Sequence, residues 1–306
     1  MNPPVGARVL VTGASGLIGR AVLSLLASVD VDVHAVSRSR RQPVDGIDWL
    51  ACDLARTGSA RTLIQRVQPQ IVIHLAGAVR GDRALDAVTP TLATNLVATV
   101  ELLEAATRGG VSRIVMAGSL LEEPAGSPLF PVPPSPYGAS RWAASAYARM
   151  FHALFDAPVT ILRPSYAYGP GQDEAKLIPH VVRTLLEGKR PELQSGERLI
   201  DFVFADDVGQ AFIAASSAAD IEGETIDIGS GETARIRDVV GLIGEMFGSE
   251  SPRPLFGAVP NRPLEQDVHV DTEIAARLLD WRASTTLEDG LRRTIDWYRA
   301  RSEDPR

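Results

Sequence analysis

Near its amino terminus the chain reads Arg8-Val9-Leu10-Val11-Thr12-Gly13-Ala14-Ser15-Gly16-Leu17-Ile18-Gly19-Arg20. The apolar first half predicts a buried strand, and an apolar helical pattern begins near Leu17. In the turn between them, glycines recur every three residues. A dinucleotide pyrophosphate approaches backbone closely in such a turn, where a Cβ would block it, and the helix N-terminus offers N–H groups to phosphates. The stretch therefore predicts a dinucleotide site, although an ordinary strand–helix turn would also use glycines.

Composition excludes several classes of function. The chain has 306 residues, of which 45% are hydrophobic and 23% charged, and its net charge is −7. An acidic balance argues against nucleic-acid and anionic-membrane partners. The one cysteine, Cys52, cannot form an intramolecular disulfide and fits a reducing compartment. No apolar run reaches the length of a membrane span and no signal segment is visible, so we expect a cytoplasmic protein. The sequence contains no cluster of Cys and His residues that could supply metal ligands, so it does not support a metal site.

Strand-like runs alternate with helical patterns through the first half of the chain. Strands are predicted at 9–12, 31–36, 47–51, 71–75, 113–117 and 159–162, and helices at 17–27, 59–67, 90–107 and 137–155. This alternation is typical of βαβ units, so we predict an α/β, Rossmann-type doubly wound parallel sheet with a smaller C-terminal substrate-binding lobe.

The pattern becomes less regular after Arg163. Helices are predicted at 177–186, 207–217, 236–247, 272–279 and 287–299, and extended segments at 201–205 and 225–228. We divide the chain into an NAD(P)-binding Rossmann domain at 1–168, to which 201–228 returns, and a mainly smaller substrate-binding lobe at 169–306.

A serine, a tyrosine and an arginine form the candidate catalytic group. Ser119 follows the strand predicted at 113–117, while Tyr137 begins a helix and Arg141 lies four residues further on the same helix face. A fixed cation favours a phenolate, and such a tyrosine can pass a proton to or from a substrate oxygen that a serine hydroxyl holds. Taken alone, the Tyr–Arg spacing equally fits a surface cation–π pair.

These residues belong to an ordered series of motifs. In chain order they are Thr12-Gly13-Ala14-Ser15-Gly16-Leu17-Ile18-Gly19, Asp53-Leu54, His74-Leu75-Ala76-Gly77, Asn95, Ser119, Tyr137-Gly138-Ala139-Ser140-Arg141, Leu162-Arg163-Pro164, Tyr168-Gly169-Pro170-Gly171, Asp201 to Val208, Ile228 to Gly231, Leu279-Asp280-Trp281 and Leu287 to Leu291. The series resembles the extended short-chain dehydrogenase/reductases, in their nucleotide-sugar epimerase, dehydratase and reductase branch, nearly from end to end.

The resemblance implies an NAD(P)-dependent oxidoreductase and assigns roles to residues. The implied catalytic residues are Ser119, Tyr137 and Arg141. The implied cofactor-binding residues are Gly13, Ser15, Gly16, Leu17, Ile18, Gly19, Ser37, Arg38, Asp53, Leu54, Leu75, Ala76, Gly77, Asn95, Tyr137, Arg141, Pro164 and Ser165. The implied substrate-binding residues are Val79, Ser119, Tyr166, Arg198 and Arg262.

Two departures from the family pattern bear on the cofactor. The family's lysine is Arg141 here, which keeps the charge but is longer, planar and always protonated; we expect a working enzyme. NAD-using relatives commonly carry an acidic residue near Ser37. Ser37 and Arg38 would instead accept a 2′-phosphate, so NADP is favoured and NAD remains open, as does a merely solvated basic loop.

The cofactor preference selects the reaction. A dissociable NADPH suits net reduction, so we predict an NADP-dependent ketoreductase of a nucleotide-linked (deoxy)sugar that reduces a 4-keto group with Tyr137 as general acid. The alternatives are an NAD-dependent nucleotide-sugar 4-epimerase and a non-catalytic dinucleotide-binding regulator. Leu120 and Leu121 stand where dehydratases place an Asp-Glu pair, which argues against a 4,6-dehydratase. Glu122 and Glu123 come too late and are predicted to lie in a solvated loop.

Substrate and partner predictions rest on fewer residues. Relatives often carry Asn at the position of Tyr166 and Arg at that of Ile200, and both of those residues contact the substrate diphosphate. Arg198 could substitute, and Arg262 matches a family arginine that grips the pyrophosphate, unless it is a surface charge. We expect a homodimer formed through the helices predicted at 90–107 and 137–155.

Overall fold

The computed structural model describes residues 2–42, 46–79, 83–122 and 132–303. The strands are β1 Arg8–Thr12, β2 Asp32–Ser37, β3 Ile47–Ala51, β4 Ile71–His74, β5 Arg113–Ala117, β6 Val159–Pro164, β7 Tyr166–Tyr168, β8 Glu192–Leu193, β9 Leu199–Phe204, β10 Thr225–Ile228, β11 Thr233–Arg235 and β12 Leu255–Phe256. The helices are α1 Leu17–Leu26, α2 Ser59–Val67, α3 Val88–Leu92, α4 Ala98–Arg108, α5 Pro136–Phe155, α6 Leu177–Leu186, α7 Ala205–Ala215, α8 Ile236–Phe247, α9 Glu273–Leu279 and α10 Leu287–Glu303.

Seven parallel strands form the central sheet in the order β10-β6-β5-β4-β1-β2-β3. Its middle strands are continuous apolar runs because helices cover both faces. Helices α1 and α7 pack on one face around Val11, Ile73 and Phe212. Helices α2, α4 and α5 pack on the other face, around Leu10 and Met116. The predicted doubly wound α/β fold is confirmed, and all strand C-termini meet at one edge, where ligands of such sheets bind.

The long helix predicted at 90–107 is interrupted. A single turn of 3-10 helix at Leu85–Ala87 leads into α3, a π-helical turn spans Ala93–Val97, and α4 follows. Asn95 is fully buried within the wider turn. Single π turns of this kind occur frequently at functional sites, and hydrophobic periodicity does not reveal them.

The C-terminal lobe packs beside the sheet edge. Strand β9 pairs with β7 in parallel and with β11 in antiparallel fashion, and β8 pairs with β12. Helices α6, α8 and α10 cover a core around Tyr168, Val182, Phe204, Ile243 and Ile295. Strand β10 and helix α7 return to the Rossmann half, whereas β9 lies in the three-stranded sheet. The division of the chain into two domains stays a prediction.

Two absences hold within the described ranges. None of the helices there combines the length and apolarity needed to cross a bilayer. In the same ranges, no three or more His, Cys, Asp or Glu side chains are grouped as metal ligands would be.

Candidate active site

The turn between β1 and α1 is built by close backbone approach. Gly13 has a left-handed φ of 66°, and a Cβ there would lie 2.5 Å from the backbone nitrogen of Ala76. A Cβ on Gly19 would overlap the carbonyl oxygen of Gly13. Among the described residues no side chain caps α1 at Gly16, so its first N–H groups are left for an anionic ligand. The turn therefore fits a dinucleotide pyrophosphate, and its residues are spaced as the sequence predicts.

Two further segments border this turn at the sheet edge. At the end of β2, Ser37 is buried and its hydroxyl donates to the carbonyl of Ser39 over 2.6 Å, while Arg38 is exposed. After β3, the Asp53 carboxylate accepts from the backbone N–H of Ala55, and Leu54 is buried. The structure thus brings the predicted ribose and adenine residues to the edge that carries the glycine turn.

A buried hydrogen-bond chain links the ends of β1 and β4. Thr99 Oγ1 donates to the Asn95 carbonyl over 2.7 Å and accepts from His74 Nε2 over 2.9 Å, while His74 Nδ1 accepts from Thr12 Oγ1 over 2.7 Å. We assign this order from the pattern of donors and acceptors. Burial, with a smaller contribution from Arg141, lowers the pKa of His74 to about 3, so the imidazole is neutral.

The chain continues from Asn95 to the catalytic helix. Asn95 Oδ1 accepts from the Ala78 N–H over 2.6 Å, and its Nδ2 donates to Ser140 Oγ over 3.1 Å. Ser140 Oγ in turn donates to the carbonyl of Tyr137 over 2.9 Å. Asn95 therefore ties the loop after β4 to the first turn of α5. Sequence reasoning placed His74 only in a family motif; a histidine ending an apolar strand was the available signal.

Arg141 is deeply buried beside the candidate catalytic residues, with 2% of its surface exposed. Its Nη1 donates to the Ala117 carbonyl over 2.8 Å, and its guanidinium carbon lies 5.7 Å from the centre of the Tyr137 ring. Nε is buried without a partner among the described residues. An orphaned donor on a buried cation fits a site that is completed by a ligand.

Ser119 and Tyr137 lie on elements that pack directly together. Ser135 caps α5 by accepting from the Gly138 N–H over 3.1 Å, which sets the start of the helix next to Tyr137. A Cβ on Gly138 would lie 2.6 Å from the carbonyl of Leu121, in the turn that follows Ser119. The Leu121 N–H donates to Ser119 Oγ over 3.1 Å and orients the hydroxyl. Both Ser119 and Tyr137 are 6% exposed.

The burial of Glu122 contradicts one prediction from the sequence. Instead of lying in a solvated loop, its carboxylate is buried beneath α5, because the 3-10 turn Leu120–Glu122 folds the chain back after β5. Oε2 accepts from Ser145 Oγ over 2.7 Å, and Oε1 lies 3.9 Å from Nε of Arg163, which pairs with Asp227. Burial raises the pKa of Glu122, and Ser145 and Arg163 oppose that shift. Glu123 lies outside the described residues.

Two of the predicted substrate residues, Arg198 and Arg262, lie near Lys176, and we define these three residues as the basic cluster. Arg198 donates to the Tyr166 hydroxyl over 2.9 Å and pairs with Glu265 at 3.1 Å. Arg262 is half-exposed, and its Nη1 lies 3.9 Å from the other oxygen of Glu265.

Sequence reasoning missed the lysine of this cluster. Lys176 donates to the carbonyl of Val79 over 2.6 Å and so reaches the loop after β4. Burial lowers the pKa of Lys176, Asp173 opposes the shift, and Arg262 adds to it. A lysine just before an amphipathic helix, as here before α6, gives little signal by itself.

The last two residues implied for cofactor binding end β6 at the same sheet edge. Pro164 is the final residue of that strand and is buried. The Ser165 hydroxyl donates to the Asp201 carbonyl over 2.6 Å, and its N–H donates to the carbonyl of Ile228. Strands β6, β9 and β10 are therefore held together beside the candidate catalytic residues.

Fold and site together define an NAD(P)-dependent enzyme of the extended short-chain dehydrogenase/reductase type. The sequence model of the NAD dependent epimerase/dehydratase family matches residues 9–229, and the chain belongs to that family. The resemblance found in the sequence is thereby confirmed.

Individual relatives cover the chain almost completely. UDP-glucose 4-epimerase of Mycolicibacterium smegmatis is 28% identical over 97% of this chain and 100% of its own length. dTDP-glucose 4,6-dehydratase 1 of Escherichia coli is 28% identical over 95% and 92%. The structure of MoeE5 in complex with UDP-glucuronic acid and NAD is 31% identical and superimposes with a TM-score of 0.84 over 96% of this chain and 99% of that one.

Proposed function

We propose that this chain is an NADP-dependent ketoreductase that reduces the 4-keto group of a nucleotide-linked deoxysugar. The end of β2 carries the proposal. Ser37, Arg38 and Ser39 follow one another there with no carboxylate that would repel a 2′-phosphate, and Arg38 is exposed. Arg20, on α1 beside the glycine turn, lies near Arg41 and Arg301, so several cations gather there. Burial lowers the pKa of Arg20, the two other arginines add to that shift, and Tyr298 opposes it.

The candidate catalytic residues would perform the proton chemistry. When bound, the reduced nicotinamide supplies a hydride to the keto carbon. Tyr137 then donates its phenolic proton to the oxygen on which negative charge develops, and Ser119 donates a hydrogen bond to the same oxygen. The Arg141 guanidinium, 5.7 Å from the centre of the Tyr137 ring, would attract the negative charge left on that residue and hold a ribose hydroxyl through its unpaired Nε.

The basic cluster supports a phosphorylated substrate. Lys176 and Arg262 bring two cations together, and Lys176 contacts the loop after β4. Charge-assisted hydrogen bonds from such groups suit a diphosphate. Arg198 is already bound to Glu265 and Tyr166, so in this proposal it positions the Tyr166 ring. Leu120 and Leu121 cannot act as acid and base, which argues against the dehydratase activity named for the Escherichia coli relative.

Dinucleotide binding tests the proposal. We expect calorimetry to show tighter binding of NADPH than of NADH, and mass spectrometry to find no retained dinucleotide in the purified protein. Arg38→Ala should reduce the preference for NADPH, while Arg66→Ala, an exposed arginine on α2, should leave it unchanged. Equal affinity for the two dinucleotides would contradict the proposal.

A second candidate is an NAD-dependent nucleotide-sugar 4-epimerase, because the Mycolicibacterium smegmatis relative bears that name and MoeE5 was solved with NAD. An epimerase would retain NAD through purification and interconvert C4 epimers without consuming NADPH. A non-catalytic regulator would bind dinucleotide and be indifferent to Tyr137→Phe.

We also propose that the chain forms a homodimer through α3, the π turn and α5. These neighbouring elements expose Val88, Leu92, Val97, Trp142 and Tyr147, each about 40–45% accessible. Light scattering should report a dimer for the wild-type protein and for Val5→Glu, which changes an exposed valine elsewhere. Leu92→Glu should yield a monomer, and a wild-type monomer would refute the interface.

A further inference from the structure

Gly77 has no conformational need to be glycine. Gly13 and twelve other described glycines have positive φ values, but Gly77 does not, so its backbone would accept alanine. The space beside it is the obstacle. A Cβ on Gly77 would overlap Nη2 of Arg141, lie 3.0 Å from its Cζ, and lie 3.1 Å from Oδ1 of Asn95.

The guanidinium that fills this space is held on its other sides. Nη1 is bonded to the Ala117 carbonyl at 2.8 Å, the Tyr137 ring lies against the group, and 98% of the Arg141 surface is covered, since only 2% is exposed. Asn95 cannot yield readily either, because its Oδ1 accepts from the Ala78 N–H at 2.6 Å. A methyl group at position 77 would therefore displace the guanidinium rather than share the site with it.

We infer that Gly77 is a positioning residue for Arg141, and that the two positions are a sterically coupled pair. The planar guanidinium of Arg141 occupies the space that a methyl group at position 77 would fill. A lysine at 141 carries a compact ammonium instead of a planar fork and would not need this room. The tolerance of this fold for arginine at position 141 thus depends on glycine at position 77.

The inference concerns packing, and its catalytic consequence rests on the proposed function. If Arg141 leaves its place between Ala117 and Gly77, its contact with the Tyr137 ring is lost and its unpaired Nε moves as well. Displacement should therefore weaken dinucleotide binding and turnover together.

A double-mutant cycle tests the coupling. The four proteins are wild type, Gly77→Ala, Arg141→Lys and the double variant, each measured for melting temperature without ligand and for affinity to NADPH and NAD. We expect Gly77→Ala to lower the melting temperature by about 5 °C in the arginine background and by much less in the lysine background. Affinity for the better-bound dinucleotide should fall about tenfold with Arg141 and about threefold or less with Lys at that position.

Gly241→Ala is the matched control, because a Cβ at Gly241 would meet nothing within 4 Å. It should leave dinucleotide affinity unchanged, and because Gly241 lies inside α8 the higher helix propensity of alanine should raise the melting temperature slightly and equally in both backgrounds. Equal losses from Gly77→Ala in both backgrounds would overturn the inference, since Asn95 or the backbone would then be the cause. No loss in the arginine background would overturn it as well. Because the melting temperatures need no ligand, coupling without dinucleotide binding would uphold the inference while refuting the proposed function.

Discussion

In the proposed function, the glycine turn and the basic cluster would each bind an anion, but by different means. The turn at residues 12–19 uses backbone that approaches closely, and the His74 hydrogen-bond chain that supports it contains only neutral groups. The basic cluster offers two side-chain charges from segments far apart in sequence, Lys176 and Arg262, while Arg198 beside them is paired with Glu265. The first site should therefore be sensitive to added volume, and the second to removed charge and to salt.

The largest effect is expected at Tyr137, the proposed proton donor. Tyr137→Phe removes the proton donor and keeps the ring beside Arg141. We expect kcat to fall roughly a hundred- to ten-thousand-fold, the usual contribution of general acid catalysis. Dinucleotide affinity measured by calorimetry should change little.

Tyr147→Phe is the control, because this tyrosine on the same helix is 44% exposed. Its turnover should match that of the wild-type protein. Near-normal turnover of Tyr137→Phe itself would refute the proposed proton transfer.

Added volume should disable the glycine turn. A Cβ on Gly19 would overlap the Gly13 carbonyl and lie 2.7 Å from two backbone atoms of Ala14. We expect Gly19→Ala to weaken dinucleotide binding about a hundredfold and to cost roughly 1–3 kcal/mol of stability, as overpacking does. Gly244→Ala, where a Cβ meets nothing within 4 Å, should bind dinucleotide normally. Wild-type affinity in Gly19→Ala would contradict the volume-sensitive description of the turn.

Removing a charge from the basic cluster should weaken substrate binding and leave dinucleotide binding unchanged. Lys176→Met keeps the aliphatic stem and removes the ammonium that donates to Val79. We expect KM for a nucleotide sugar to rise about tenfold, the loss of one charged hydrogen bond, and to depend less on salt than in the wild-type protein. Lys189→Met, at an exposed lysine paired with Glu187, should leave KM unchanged. Weakened dinucleotide binding in Lys176→Met would contradict the separation of the basic cluster from the dinucleotide site.

The smallest effect concerns Glu122, whose raised pKa makes the folded state retain a proton that the unfolded chain releases near the usual value of 4.5. That contribution to stability is present below pH 4.5 and is lost as the pH rises through the folded pKa. Glu122→Gln has no proton to lose, so its melting temperature should rise relative to that of the wild type as the pH increases from 4 to 8. Glu250→Gln, at an exposed glutamate, should show a constant difference. A difference in melting temperature that shrinks as the pH rises would mean that folding lowers the pKa of Glu122 instead of raising it.

The same contrast explains what the sequence could predict. The glycine turn is local: strand, glycines and helix lie within thirteen residues, and their spacing alone indicates how they fold. Helices α2, α6 and α8 have the predicted bounds for the same reason. Strands β7, β8, β11 and β12 were not predicted because two or three residues carry no measurable periodicity.

Long-range pairings could not be predicted. Glu122 and Ser145 are 23 residues apart, and Lys176 and Val79 are 97 residues apart. Only the fold decides that these side chains meet. The burial of Glu122 was missed because an acidic pair beside a Pro/Gly-rich segment normally indicates solvent. The roles of Ser37, Arg38 and Arg262 stay predictions, since they depend on a ligand.

The π turn at Ala93–Val97 makes one point of this helix unusually intolerant of insertions and deletions. A regular α-helix advances about 100° per residue, and the π turn accommodates an extra residue without unwinding the helix on either side. Losing one residue there would convert the wide turn into a regular α-helical turn with α3 and α4 still in phase, but it would shift the side chains of the turn around the helix axis. Asn95 could then no longer face Ala78 and Ser140 at once. Length variation in relatives should accordingly fall in the loops that flank this helix and spare the five residues of the turn.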